Sequence, residues 1–135
     1  MMMFMSLVVT RSSSGYGGTV SALLDGIVRR ELTVFARIDH GAGAREAGLE
    51  LGDEEVVLFG NPQAGTLLMQ DDRTVGIELP LRMLVWRDGD EVLIGYRDPR
   101  ELAREYGVGA HEATLEQMAG LLAQLAAEAA AAAVD

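Results

Sequence analysis

The sequence contains no cysteine among its 135 residues. Thiol catalysis, zinc–thiolate sites and disulfide bonds are therefore excluded. It also contains no lysine, since all 11 basic residues are arginine. This second absence excludes Schiff-base chemistry, lysine nucleophiles and the lysine of a P-loop. A composition bias towards arginine and alanine is the favoured cause of the missing lysine.

Long apolar runs are absent as well. No stretch approaches the about 18 apolar residues that a helix needs to cross a bilayer, and the apolar segment 1–5 has neither a basic start nor a cleavage site after it. The net charge of −10 argues against nucleic acid and anionic membranes as partners, because both attract basic surfaces. We therefore expect a cytoplasmic protein that binds neither of them, and no metal or cofactor is indicated.

The strongest pattern that is present is the apolar run 56–59, followed by Gly60, Asn61 and Pro62. A strand that is apolar at every position is expected to be covered on both faces. Asn61 suits the N-cap of a following helix, and Pro62 suits its first position. The run therefore predicts an internal strand that leads directly into a helix.

Apolar periodicity and turn residues predict the remaining elements. Strands are expected at 7–10, 33–39, 77–86 and 90–96, and helices at 20–28, 41–48, 63–69, 100–106 and 111–134. The fold class is α/β (α+β): a two-layer sandwich with a mixed sheet of about five strands, helices packed on it and a long C-terminal helix. We expect one domain over 1–135 with its core at about 6–125. The alanine-rich end, 126–135, is expected to bury little and to fray.

The dipeptide Asp88-Gly89 is a strong signal for a two-residue hairpin. Counting outward from it pairs Val85 with Val92. It also sets Arg82 opposite Gly95. One set of apolar residues then shares the face that the helices cover: Leu81, Met83, Val85, Val92, Ile94 and Tyr96.

The other face of this hairpin carries Leu84, Trp86 and Leu93. An apolar cluster of this kind usually marks an association surface. The final helix could instead fold back over it within one chain. We favour a two-fold homodimer, the commonest assembly of identical chains.

Several short motifs carry a family resemblance: Asp39-His40, Phe59-Gly60-Asn61-Pro62, Gly65-Thr66, Leu68-Met69, Leu79-Pro80-Leu81-Arg82 and Asp98-Pro99. They resemble the landmarks of the domain of unknown function 302 family and extend from about residue 7 to the final helix. The resemblance implies a compact α/β domain with helices against a mixed sheet, and a tendency to form homodimers. It implies no reaction, because the activity of the family is itself undefined.

The candidate ligand-binding residues are Asn61, Thr66 and Arg82. The end of a sheet strand is where open α/β folds bind ligands, and an arginine recognises carboxylates or phosphates. The simpler alternatives, which we favour, are that Asn61 only caps a helix and that Arg82 forms an ion pair within the chain or between subunits. Glu78 lies four residues before Arg82 on the same strand face.

Asp39 and His40 form an adjacent acid–imidazole pair and complete the candidate set. A carboxylate beside a histidine could tune a general base or a metal ligand. Neighbouring residues of a strand point to opposite faces, so a cap for the helix that follows is the favoured interpretation.

Three functions remain open from the sequence. The leading hypothesis is a small homodimeric ligand-binding or sensory module, with an unidentified small molecule as a partner. The alternatives are a small acid–base enzyme whose catalytic residues are unknown, and a structural or protein-interaction module.

Overall fold

A computed structural model describes residues 7–131. The five strands are β1 (Leu7–Arg11), β2 (Thr33–Asp39), β3 (Glu54–Gly60), β4 (Leu81–Asp88) and β5 (Glu91–Arg97). The α-helices are α1 (Tyr16–Arg29), α2 (His40–Glu46), α3 (Pro62–Asp71), α4 (Leu102–Glu105) and α5 (Glu112–Ala131). Short 3-10 helices lie at Arg73–Glu78, Pro99–Glu101 and Gly109–His111. Within 7–131, none of the helices combines the length and the apolar character needed to span a bilayer.

The strands form one sheet in the order β1-β5-β4-β3-β2. Five strands, packed helices and a long C-terminal helix confirm the predicted fold class. Every neighbouring pair is antiparallel, however, whereas a mixed sheet was expected. The described strands form no parallel pair, because the first strand joins the sheet antiparallel to β5, at the edge of the C-terminal hairpin.

The strand β3 is internal, as predicted, but only one of its faces is covered. Val57 and Phe59 are fully buried, whereas Val56 and Leu58 are half-buried on the opposite face. The expectation of cover on both faces is wrong because α1 and α5 pack on the same side of the sheet. The uniformly apolar run therefore leaves apolar surface on the other side.

The hairpin turn lies one residue later than its sequence suggests. Asp88 pairs with Glu91, so Gly89 and Asp90 form the turn, with Gly89 at a φ of 61°. All pairings shift by two residues, and Leu84 rather than Arg82 lies opposite Gly95. A shift of two preserves which face each side chain occupies. The predicted shared face is therefore confirmed, with Leu81 half-buried and the other members buried: Met83, Val85, Val92, Ile94 and Tyr96.

The strand β4 begins at Leu81, four residues later than predicted. Asp72 accepts a hydrogen bond from the backbone N–H of Thr74 at 3.0 Å, which opens the 3-10 helix at Arg73–Glu78. Ile77 belongs to this helix and not to β4. Its side chain is 78% exposed. A cis peptide bond at Leu79-Pro80 joins the two elements.

The long helix α5 packs against α1 on the covered face of the sheet. A Cβ atom built on Gly26 would lie 2.9 Å from a Leu125 methyl group, so the two helices are in close contact. Ala126, Ala129 and Ala130 are buried, which contradicts the expectation that this end buries little. The remainder of the predicted helix, 132–134, lies outside the described residues.

The opposite side of the sheet, here called the open face, is the side away from α1 and α5. The strand register places nine apolar side chains there: Leu7, Val9, Ala36, Ile38, Val56, Leu58, Leu84, Trp86 and Leu93. Leu7 and Val9 are 45% and 48% exposed. Because α5 packs on the covered side, the alternative in which it folds back over the open face is wrong.

Candidate ligand-binding site

A cleft of about 380 Å³ opens between the start of α3, the cis-proline segment and α5. Seventeen residues line it, and none of them is charged. Charged residues make up 24% of the chain, so about four would be expected in a lining of this size. The cleft is therefore an uncharged region in a strongly acidic protein.

The turn from β3 into α3 forms one wall of the cleft. The Asn61 side-chain oxygen accepts a hydrogen bond from the backbone N–H of Gln63 at 2.9 Å, and Pro62 is the first helical residue. The Thr66 hydroxyl donates to the Pro62 carbonyl at 2.7 Å. These contacts confirm the predicted cap and hold Asn61 and Thr66 beside the cleft.

A β-bulge supplies part of the second wall. The register between β2 and β3 shifts between Val34 and Ala36, and Phe35 at the bulge lines the cleft while remaining 51% exposed. A bulge redirects a side chain that regular alternation would send to the other face. Phe35 was missed in the sequence because the strand pattern contains no sign of the extra residue.

The helix α5 closes the third side. Thr114, Gln117, Met118 and Leu121 lie at helical spacing along the face that borders the cleft. Met118 is one of the buried apolar residues of this helix. Its role in the cleft depends on how α5 lies against α3, which the sequence of the helix alone does not reveal.

Arg82 does not join Asn61 and Thr66. It lies opposite Leu58 on β4, is exposed and points to the open face, while its neighbour Leu81 lines the cleft. The alternative ion pair with Glu78 is not formed either. Glu78 instead pairs with Arg97, at 3.0 Å, and accepts a hydrogen bond from the Tyr106 hydroxyl at 2.8 Å.

Asp39 and His40 lie at the far end of β2 from the cleft. Asp39 is opposite Glu55, whereas Thr33 is opposite Gly60, so about 20 Å of strand separates the two sites. The Asp39 carboxylate accepts a hydrogen bond from the backbone N–H of Ala42 at 2.8 Å. Asp39 therefore caps α2, as the favoured interpretation proposed, and the pair does not contribute to the cleft.

A buried charged group near that far end was not identified in the sequence. Glu55 is buried and pairs with Arg37 through two hydrogen bonds. Burial, together with the Glu55 carboxylate, raises the pKa of the nearby Tyr16 hydroxyl to about 12. The cluster is negative around the start of α1, so it does not favour an anionic ligand there.

The fold is that of a small α+β domain whose sheet is covered by helices on one face, with an uncharged cleft of small-molecule size. The model of the family described as "Domain of unknown function DUF302" matches residues 8–125. The chain belongs to this family, as the sequence motifs indicated.

Two curated relatives come from Brucella. The Fluoride-specific ion channel FluC 1 of Brucella suis biovar 1 is 44% identical over 104 residues, which cover 76% of this chain and 41% of the relative. The Fluoride-specific ion channel FluC 1 of Brucella abortus biovar 1 is also 44% identical over 104 residues, with 76% and 38% covered. The chain thus spans about two fifths of the length of these relatives.

A solved structure shares the fold. The crystal structure of an uncharacterized conserved DUF302 protein from Bacillus stearothermophilus superposes with a TM-score of 0.82 at 18% identity. The match covers 91% of this chain and 97% of the other. At this identity the similarity supports the fold alone.

Proposed function

We propose that this protein is a small ligand-binding domain that acts as a homodimer. The observation that carries the proposal is the uncharged cleft beside the Asn61 turn. Ligand sites are typically clefts of about 300 to 1,000 Å³ with mainly apolar walls and a few polar groups. The cleft meets both criteria, with Asn61 and Thr66 among its polar groups.

The composition of the walls also favours ligand binding. Met69 and Met118 lie on two different helices that border the cleft. Unbranched thioether side chains adapt to irregular shapes more easily than branched ones. A site with two such residues can adjust to a ligand without moving the sheet.

Thermal-shift measurements with a panel of uncharged metabolites test this part of the proposal. A ligand that binds the native state raises the unfolding temperature by mass action. The shift should be lost in Gly65→Leu, because Gly65 lines the cleft and a Cβ there lies 3.5 Å from a Leu79 methyl group. The matched control is Gly120→Leu, since a Cβ at this helical glycine has no neighbour within 4 Å. If no metabolite gives a thermal shift that Gly65→Leu removes, ligand binding in the cleft is contradicted.

The dimer is proposed to form through the open face, with a second copy of the chain as the occupant. Leu84, Trp86 and Leu93 adjoin Leu7 and Val9 there, which gives a continuous apolar surface over β4, β5 and β1. Contiguous apolar patches on a monomer usually mark an interaction site. Two sheets packed face to face at about 10 Å would bury this surface in both copies.

The charges on the open face favour a two-fold arrangement. Glu54 lies opposite Trp86 at one end of the face, and Arg82 lies opposite Leu58 at the other. A two-fold axis between the sheets, perpendicular to the strands, brings the Arg82 end of one copy over the Glu54 end of the other. Interfaces between identical chains are self-complementary in this way.

Sedimentation equilibrium at micromolar concentration tests the dimer. The expected mass is twice the 14.5 kDa of the chain. Trp86→Glu should shift the protein towards the monomer, because it buries a carboxylate in an apolar interface. Leu67→Glu is the control, since Leu67 is an exposed residue of α3 and not part of the open face. A mass near 14.5 kDa for the parent protein would contradict the dimer.

A second candidate function is a module that works with a fluoride channel, favoured by the names of the Brucella relatives. Fluoride is a small, strongly hydrated anion, and the uncharged cleft offers no cation to replace its water. Association through the open face suits this function better than fluoride binding in the cleft. Thermal shifts in sodium fluoride and in sodium chloride at equal concentration test this view: equal shifts are expected, and a shift specific to fluoride would indicate direct fluoride binding instead.

A further inference from the structure

We infer that the cleft selects uncharged, mainly apolar molecules that carry a hydrogen-bond donor, and that it excludes anions. This inference rests on the proposed ligand-binding function. The selection follows from the lining of the cleft, from the charge of the whole protein and from the orientation of one hydroxyl group.

The lining makes ions unfavourable. An ion that leaves water for an apolar site loses hydration free energy unless a counter-ion or several hydrogen bonds replace it. No arginine, histidine, aspartate or glutamate lines the cleft. Arg82, the cation expected there from the sequence, lies on the open face instead.

The net charge of −10 makes anions less favourable still. The summed charge of a protein sets a potential over its surface, which repels ligands of the same sign. Glu112 on α5 lies two positions before the lining residue Thr114. An anion would therefore approach against a negative field and find no cation inside.

One polar group of the cleft favours a donor on the ligand. The Thr66 hydroxyl already donates its hydrogen to the Pro62 carbonyl, so its oxygen is left to accept. The Asn61 side-chain oxygen is occupied by Gln63 N–H. Gln117 on the facing helix supplies a neutral amide. The Phe35 ring adds a flat apolar wall that suits an aromatic ligand.

Two fluorescent probes with one scaffold test the selection. N-phenyl-1-naphthylamine is neutral and has one N–H donor, and 8-anilino-1-naphthalenesulfonate is the same molecule with a sulfonate added. The neutral probe is expected to bind saturably, with a dissociation constant at least about tenfold lower than that of the sulfonate. Binding of the neutral probe should be lost in Gly65→Leu and kept in Gly120→Leu.

A charge placed in the cleft should reverse the preference. Gln117→Arg is expected to tighten binding of the sulfonate by about tenfold or more and to weaken binding of the neutral probe. Gln124→Arg is the matched control: Gln124 lies two turns further along α5, is exposed and does not line the cleft. It adds the same charge to the same helix and should leave the ratio of the two affinities unchanged.

The outcomes separate the ligand class from the proposed function. If the sulfonate binds the parent protein as tightly as the neutral probe, and Gly65→Leu abolishes both, the cleft binds ligands but the inferred class is wrong. If neither probe binds saturably, and the metabolite panel gives no shift, the ligand-binding function itself fails. If binding survives Gly65→Leu and is lost in Trp86→Glu, the probes occupy the open face, which overturns the inference.

Discussion

The Glu55 carboxylate accepts hydrogen bonds from both Nε and Nη2 of Arg37, at 2.5 and 3.2 Å. The two partners differ in exposure: the Glu55 side chain is 7% exposed and the Arg37 side chain 50%. The pair therefore connects a buried charge on β3 to water through the edge strand β2. Loss of Arg37 and loss of Glu55 should therefore lower the free energy of unfolding by different amounts.

Arg37→Met is expected to lower the free energy of unfolding by about 3 kcal/mol, because it leaves a buried carboxylate without a counter-ion. Glu55→Gln should cost only about 1 kcal/mol, since the amide keeps a hydrogen bond and Arg37 remains hydrated. Urea denaturation at neutral pH measures both values. Equal losses, or a larger loss for Glu55→Gln, would contradict the asymmetry.

The Tyr16 hydroxyl should titrate well above an ordinary tyrosine. Burial and the Glu55 carboxylate raise its pKa to about 12, against about 10 in an unfolded chain. The folded protein then holds this proton more tightly, so the associated stability is complete below about pH 10 and is lost as the pH rises through about 12. Ultraviolet titration of the phenolates checks this prediction.

Two variants identify the Tyr16 step in that titration. Tyr16→Phe should remove one high-pH transition and reduce the loss of stability between about pH 10 and about pH 12. Glu55→Gln should lower the pKa of Tyr16, because it removes a neighbouring negative charge. An unchanged Tyr16 transition in Glu55→Gln would show that Glu55 does not contribute to the raised pKa.

Asn61→Ala should lower the free energy of unfolding by about 1 kcal/mol, the usual contribution of an N-cap. The physical reason is the lost hydrogen bond from the backbone N–H of Gln63. Asn61→Ser is the control, since a serine oxygen can accept the same bond. Thermal or urea unfolding measures the difference, and a serine variant as unstable as the alanine variant would argue against capping.

Gly26→Val should lower the free energy of unfolding by about 1 to 3 kcal/mol, through overpacking of the contact between α1 and α5. The close approach of Leu125 leaves no room for a larger side chain. Gly120→Val in α5 tests the same substitution where no atom lies within 4 Å, and it should be nearly neutral. A Gly26→Val variant as stable as Gly120→Val would contradict overpacking, since helix propensity itself favours valine over glycine at both positions.

The faces of the sheet could be predicted from the sequence, but the register could not. Alternation fixes which side chains share a face, and it placed Met83, Val85 and Ile94 correctly in the core. The turn was placed at Asp88-Gly89, whereas Gly89 and Asp90 occupy it. The two registers differ by an even number of residues, so alternation is satisfied equally well by both.

The cleft could be predicted only in part. Asn61 and Thr66 were found because capping and the turn into α3 are local, within a few residues of chain. Phe35 and Gln117 were missed because they come from a bulge and from a helix far along the chain. Arg82 was assigned to the pocket because it lies near the Asn61 turn across the sheet. That proximity does not reveal on which face of the sheet a ligand binds, and Arg82 lies on the open face.

The pairing of the first elements with the last ones has a consequence for synthesis on the ribosome. Within the described residues β1 pairs with β5, and Arg30, directly after α1, pairs with Glu128 of α5, 98 residues away. The nascent N-terminal half therefore emerges without the partners that cover its apolar residues. Contacts of such long range form late and slowly, so this domain completes its fold only after α5 has left the ribosome.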